Sequence, residues 1–230
     1  MQSSQNRVLV VAAHPDDEVL GCGGTIARLS DAGAAVTVMF FADGVGARSA
    51  GGEIRQPELT ERRKAAQTAC RILGAEDPLF FDFPDNRLDT VPLIEVTQTL
   101  EKVIDEFRPD SIYTHHAGDV NADHRIAHQA VVTACRPQPG RDVKKIYFFE
   151  VASSTEWQTP GSAPSFQPTS FVDISETLPR KIEALKAYAM EMRPWPHARS
   201  IEANEHLARW RGATAGFKAA EAFMLGRELI

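Results

Sequence analysis

Apolar runs and amphipathic stretches alternate along the first two-thirds of the chain. Residues 7–13 (RVLVVAA) are apolar over a strand's length and predict a buried strand. Residues 17–32 place Val19, Leu20, Gly23, Ile26, Ala27 and Leu29 on one side, which predicts a helix. The alternation continues with a strand over 35–42 (AVTVMFFA), a helix over 58–73 stopped by Gly74, and a short aromatic strand over 78–83. A helix over 91–107 follows, with Leu93, Val96, Leu100, Val103, Ile104 and Phe107 at helical spacing. A strand over 111–115, a helix over 124–135 and a strand over 145–150 complete the series. Strands that alternate with helices at this spacing need crossover connections, and so a parallel sheet. Their uninterrupted apolarity fits helices covering both faces. The expected fold class is α/β: a three-layer, doubly wound α/β/α arrangement with a mostly parallel sheet.

The last third changes character. Residues 154–167 carry Pro160, Gly161 and Pro164 among Ser and Thr and read as a loop. A strand over 169–174 and helices over 178–190 and 202–214 follow. Pro194-Trp195-Pro196 separates the two helices, since proline interrupts helical bonding. Residues 222–225 fit a helix or a strand. One domain over residues 1–230 is expected, with a core over about 5–150 and an extension over about 151–230 packed on it.

Composition narrows the function classes. Hydrophobic residues at 43% and charged residues at 24% exclude a disordered chain. Lys plus Arg is 25 against 31 Asp plus Glu, a net charge of -6, the reverse of a nucleic-acid binder. No apolar run approaches the roughly 18 residues of a membrane span. No basic amphipathic stretch marks a membrane-surface protein, and the first residues do not read as a signal peptide. Cys22, Cys70 and Cys135 are far apart with no C-x-x-C pair, which points to reduced thiols in a cytoplasmic protein. The expected partner is a small molecule, not nucleic acid or membrane; oligomeric state stays open, a homo-oligomer included.

Two strand ends carry chemistry. His14-Pro15-Asp16-Asp17-Glu18 follows the first strand directly, where open parallel sheets bind their ligands. Proline and acids are good chemistry for a helix start, but that does not account for His14. After the strand 111–115, the run from His115 to His124 holds three of the seven histidines, with Asp119, Asn121 and Asp123. In the commonest doubly wound order, strands one and four are neighbours, and the crevice between them is where the winding reverses. Both clusters then face one crevice. His14, Asp17 and a histidine of the second cluster make two imidazoles and one carboxylate, a donor set suited to zinc with a fourth position left to water. Asp16 beside Asp17 is then a candidate general base for metal-activated water, which is the equipment of an amide hydrolase.

These residues resemble a known family. His14-Pro15-Asp16-Asp17-Glu18, with Gly23-Gly24 in the next helix and Asp123-His124 after the fourth strand, is similar to the PIG-L/LmbE-like N-deacetylases. The resemblance covers roughly residues 7–136 and continues more loosely through 181–188 and 220–227. It implies a Rossmann-like fold and zinc dependence, with another divalent ion as the alternative. It further implies His14, Asp17 and His124 as metal ligands, Asp16 as general base, and Asp123 hydrogen-bonding beside the metal. Arg62 in the second helix and Asp85 at the end of the third strand become candidate substrate-binding residues. Many relatives carry a histidine three residues before the ligand histidine; here Asn121 stands there. Asparagine can donate to an oxyanion but cannot supply a proton. The acid role then falls to Asp16 after it accepts a proton, or to His116 or His197. His115, His128 and His206 are expected to be structural.

The expected reaction is removal of an acetyl group from an N-acetylated amino sugar or its conjugate. The sequence leaves two alternatives: hydrolysis of another amide or ester at the same site, and a non-catalytic sugar- or nucleotide-binding protein. For the nucleotide reading, Gly21-Cys22-Gly23-Gly24 falls inside the first helix and not in the strand-helix turn that a dinucleotide fingerprint requires.

Overall fold

The computed structural model describes residues 6–46, 56–140 and 143–230. In chain order the elements are β1 (Arg7–Ala12), α1 (Asp17–Asp31), β2 (Ala35–Ala42), α2 (Gln56–Leu73), β3 (Leu79–Phe83), α3 (Leu93–Phe107), β4 (Ser111–His115) and α4 (Ala122–Ala134). Then come β5 (Lys145–Phe149), β6 (Ser170–Asp173), α5 (Leu178–Ala187), α6 (Ile201–Ala215) and β7 (Ala220–Glu228).

The seven strands form one sheet in the order β3-β2-β1-β4-β5-β7-β6. The strands from β3 to β5 are parallel, with Val8 opposite Val36 and Leu9 opposite Ile112. Alternation along the strands builds two cores. Val8, Val10 and Ala12, with Val36, Val38 and Phe40, meet α1, α2 and α5 through Ile26, Ala66 and Ala184. Leu9 and Val11, with Met39, Phe41 and Ile112, meet Leu100 and Ile104 of α3 and Ala127 and Val131 of α4. Each fully buried aliphatic side chain contributes about 1.5–3 kcal/mol. The expected three-layer α/β class and the adjacency of the first and fourth strands are both observed.

The glycines of α1 serve close packing. A Cβ at Gly21 would run into the ring of Phe149 on β5, and one at Gly24 would meet Ile174 at 2.7 Å. The run is buried within α1, so it presents no phosphate loop.

The C-terminal third packs α5 against α1 and α2 and also continues the sheet. β7 pairs antiparallel with β5, and β6 antiparallel with β7, so residues 222–225 are strand. Among the boundaries that differ from expectation, two show their physical reason. α5 stops at Ala187, where the Tyr188 backbone leaves helical geometry at φ -93° and ψ 38° while its hydroxyl donates to Glu18 Oε1 at 2.6 Å. α4 starts at Ala122 because Asn121 caps it: its side-chain oxygen accepts the amides of Asp123 and His124 at 2.8 and 3.4 Å. Such a cap contributes about 1 kcal/mol. Among the described residues, no helix is long and apolar enough to cross a membrane.

Candidate metal centre

The chain turns sharply after β1. Asp16 has φ of 115°, a left-handed conformation that costs a non-glycine residue of order 1–3 kcal/mol. Neighbours hold it there. The Asp16 amide donates to Glu18 Oε2 at 2.9 Å, and Tyr188 fixes the other Glu18 oxygen. Asp17 opens α1 and accepts the His14 amide on Oδ2 at 2.9 Å.

That same Asp17 oxygen is where the two strand-end clusters meet. His14 Nδ1 lies 3.4 Å from it and His124 Nε2 3.3 Å. Each ring is backed by carboxylate on its far side. His14 Nε2 faces Asp123 Oδ2 at 3.0 Å and Asp85 Oδ1 at 3.1 Å. His124 Nδ1 faces Asp119 Oδ1 at 3.2 Å. His115 is buried beneath, with its ring stacked on His124 at 3.9 Å and its Nε2 accepting the Ala13 amide at 2.9 Å.

This arrangement tests whether a cation fits. A neutral imidazole carries one N–H, so a ring that donates to Asp123 or Asp119 has none left for Asp17. The opposite nitrogens then turn lone pairs toward an oxygen that also has only lone pairs. A cation among them resolves the conflict, and one donor atom from each of His14, Asp17 and His124 lies within 4.8 Å of the others. Histidine ligands backed by carboxylates are the usual supporting arrangement of protein metal sites. Burial opposes a charged His124, but Asp17 and Asp119 outweigh it and raise its pKa to about 9. Burial likewise opposes a charged His14, yet Asp123, Asp17 and Asp85 hold its pKa well above the ordinary value. Burial would raise Asp17, but His124 and the other imidazoles hold it well below the usual carboxylate range.

A cavity of about 100 Å³ opens over these residues, and Asp16, Arg62, Asp85, Asn121 and Arg199 are among those lining it. Asp16 Oδ2 lies 3.2 Å from Arg199 and 3.6 Å from Arg62. Burial raises the Asp16 carboxyl above its ordinary range against the pull of both arginines. Arg62 is anchored in turn by Glu191 at 2.5 Å.

The structure thus gathers most of the residues singled out by sequence. His14, Asp16, Asp17, Arg62, Asp85, Asn121 and His124 all line the cavity, and Asp123 stands behind His14. The structure places His116 apart from the cavity. Its Nε2 pairs with the Pro164 carbonyl at 2.8 Å and its ring packs edge-on to Phe166, so it is not in the lining. His197 is also outside the lining, accepting the Arg199 amide at 3.0 Å. Two residues were missed. Asp119 was visible as an acid inside the histidine cluster. Arg199 left no local signal, since only folding brings its turn to Asp16.

A sequence profile described as PIG-L, GlcNAc-PI de-N-acetylase, matches residues 9–135. The chain belongs to this family. A PIG-L relative in Bacillus cereus, named probable N-acetyl-alpha-D-glucosaminyl L-malate deacetylase 2, is 30% identical over 188 residues, covering 80% of this chain and 83% of its own. A conserved protein of Thermus thermophilus has a solved structure similar to this one with a TM-score of 0.76 at 29% identity, covering 97% of this chain and 96% of its own. A Pseudomonas putida protein, the 4-carboxy-2-hydroxymuconate hydratase GalB, is similar with a TM-score of 0.75 at 25% identity, covering 98% of each chain. The PIG-L membership supports a deacetylase, and the hydratase shows that the fold by itself does not determine the reaction.

Proposed function

We propose that this chain is a zinc-dependent N-deacetylase acting on an N-acetylated amino sugar or its conjugate. The observation that carries the reading is the convergence of His14 and His124 on one oxygen of Asp17, each ring backed by a carboxylate. His14, Asp17 and His124 would hold the ion. Zinc, when bound, polarises a carbonyl and lowers the pKa of water from about 15.7 to about 7.

The chain's own residues do the rest. Asp16 lines the cavity beside Asp17, and its raised pKa suits a group that takes a proton from the attacking water and returns it. Water oxygen adds to the acetyl carbon, the carbon–nitrogen bond breaks, and the proton held on Asp16 passes to the leaving amine. Acetate and free amine result. Asn121 keeps its side-chain oxygen on the α4 cap and turns its NH₂ outward, 3.2 Å from Asn86 Oδ1 at the cavity rim, where it can donate to an oxyanion. Arg62, with its guanidinium fixed by Glu191, presents donors to substrate. Asp85 shares its carboxylate between His14 and the cavity, so its part is support for His14 as well as sugar binding. Cys22, Cys70 and Cys135 are buried as thiols, which supports a cytoplasmic setting.

The likeness to a hydratase favours one second reading, addition of water to an unsaturated carboxylate at the same site. One experiment separates the two. The zinc-loaded protein is offered N-acetylglucosaminyl malate, other N-acetylglucosaminides and an unsaturated dicarboxylate. Acetate release from a glucosaminide, with zinc bound by the wild type and lost in His124→Ala, supports deacetylation. Hydration without acetate release overturns it.

A further inference from the structure

α1 is two helical segments. Cys22 breaks it with φ of -149° and ψ of 25°. The first segment carries Asp17 and Glu18; the second packs Gly24 against Ile174. A buried ion pair from distant parts of the chain spans the break. Lys181 of α5 donates to the Leu20 carbonyl at 2.9 Å and to Glu221 Oε1 at 2.6 Å. Glu221 of β7 accepts the Gly24 amide at 3.0 Å and the Thr25 amide at 2.7 Å. Thr177 adds its hydroxyl to the Gly24 carbonyl at 2.8 Å.

We propose that Lys181 and Glu221 are positioning residues for the metal site, setting the angle between the two segments of α1 and so the aim of Asp17 at His14 and His124. This rests on the reading of those three residues as metal ligands. Charge and geometry agree on the role. The ammonium meets the carbonyl end of the first segment and the carboxylate meets the amide end of the second, each the sign that the helix dipole favours. Both side chains are only 4% exposed. A buried pair seldom repays its own desolvation through attraction alone, so stability is a weak reason for it to be here. A ligand is no better a reason, since the space beside the pair is about 10 Å³, room for a single water at most. What the pair does is join two helix ends at a fixed angle. Asp17 stands one turn from that joint, and its Oδ2 is the point on which both imidazoles converge. An unbroken helix would instead tie the direction of Asp17 to the packing of Gly24 on Ile174.

The test is metal binding by the full-length protein, read without turnover. Zinc affinity is measured by competition with a chromophoric chelator, and the geometry of the site by the visible absorption of bound cobalt(II). The variants are Lys181→Met with Glu221→Gln together, which removes both charges at similar volume, and Glu221→Gln alone, which keeps an acceptor oxygen for one of the two amides. Both are compared with wild type by circular dichroism. The double variant is expected to bind zinc at least about tenfold more weakly and to shift the cobalt bands. The single variant should show a smaller change in the same direction. Folded variants with wild-type zinc affinity and superimposable cobalt spectra would overturn the proposal, whatever happens to their melting temperature. Should the double variant not fold, the single variant decides by the same two readouts. A wild type that binds neither ion removes the metal site, and this proposal with it; a wild type that binds both, alongside variants that bind equally well, removes the positioning role alone.

Discussion

Asp119 Oδ1 lies 3.2 Å from Nδ1 of His124, whose opposite nitrogen faces Asp17 Oδ2 at 3.3 Å. The carboxylate is itself held by the hydroxyls of Ser154 and Thr155 and by the Asn121 amide at 2.8 Å. It therefore fixes both the rotation of the ring and the position of its proton. Asp119→Ala removes the acceptor that the ring proton needs, which frees the ring to rotate and lets its proton settle on the metal side. We expect zinc affinity to fall about 10–100-fold, the usual effect of removing a ligand's hydrogen-bond partner. A chelator competition on folded variant protein measures it. Wild-type affinity would reduce Asp119 to an anchor for the loop at Ser154.

Zinc should also stabilise the fold, because the donors come together only in the native state. At free zinc about 100 times its dissociation constant, the gain is about 2.7 kcal/mol. For a chain of 230 residues that corresponds to a rise in melting temperature of about 5–10 °C. Chelator should reverse the rise, and His124→Ala should abolish it. An equal rise in the variant would place the ion elsewhere.

Much of this site was legible in the sequence, for reasons tied to particular residues. His14 and Asp17 follow a continuous apolar strand, so their place at a strand's carboxyl end needs only the strand. His124 joins them through the rule that the first and fourth strands are neighbours, which β1 and β4 obey. What failed to show was set by contacts across long stretches of chain. His116 sits in the right cluster, but the Pro164 carbonyl, 48 residues away, draws its ring off the site. Arg199 reaches Asp16 across 183 residues from a turn with no pattern of its own. The break at Cys22 is equally silent. Residues 17–32 keep helical spacing throughout, and the groups that hold the kink come from α5 and β7.

Asp16→Asn should separate binding from chemistry. The amide keeps the shape of the side chain and leaves His14, Asp17 and His124 untouched, so one zinc per chain should remain by elemental analysis. It cannot accept a proton from water. Losing a general base lowers turnover by about 10²–10⁴-fold, and acetate release should fall within that range. A decrease of only a few fold would move the base to another residue.

His116 and Asn121 make opposite predictions. His116 is committed to Pro164 and Phe166 outside the cavity, so His116→Phe should change kcat by no more than a few fold. Asn121 lines the cavity and caps α4, so Asn121→Ala should lose about 1 kcal/mol of stability and slow turnover together. Asn121→Asp is the control. It keeps the cap, since aspartate accepts the same two amides, but loses the NH₂ donor. Slow turnover with wild-type stability in Asn121→Asp assigns the effect to the oxyanion; full activity would deny Asn121 that role.

Glu18 should couple stability to pH. It is fully buried, with Tyr188 on one oxygen and the Asp16 amide on the other. Burial pushes its pKa up to about 8 despite those bonds. The folded value exceeds the ordinary one, so the native chain holds this proton more tightly than the unfolded chain does. The resulting stabilisation is complete below about pH 4.5 and is lost as pH rises toward about 8. Glu18→Gln has no proton to lose, and its amide can accept from the Asp16 amide while donating to the Tyr188 oxygen. In metal-free protein, thermal unfolding between about pH 5 and about pH 9 should therefore show the variant gaining on wild type as pH rises. Parallel curves would mean that Glu18 ionises alike in both states, and that its place under the strained Asp16 imposes no penalty on the charge.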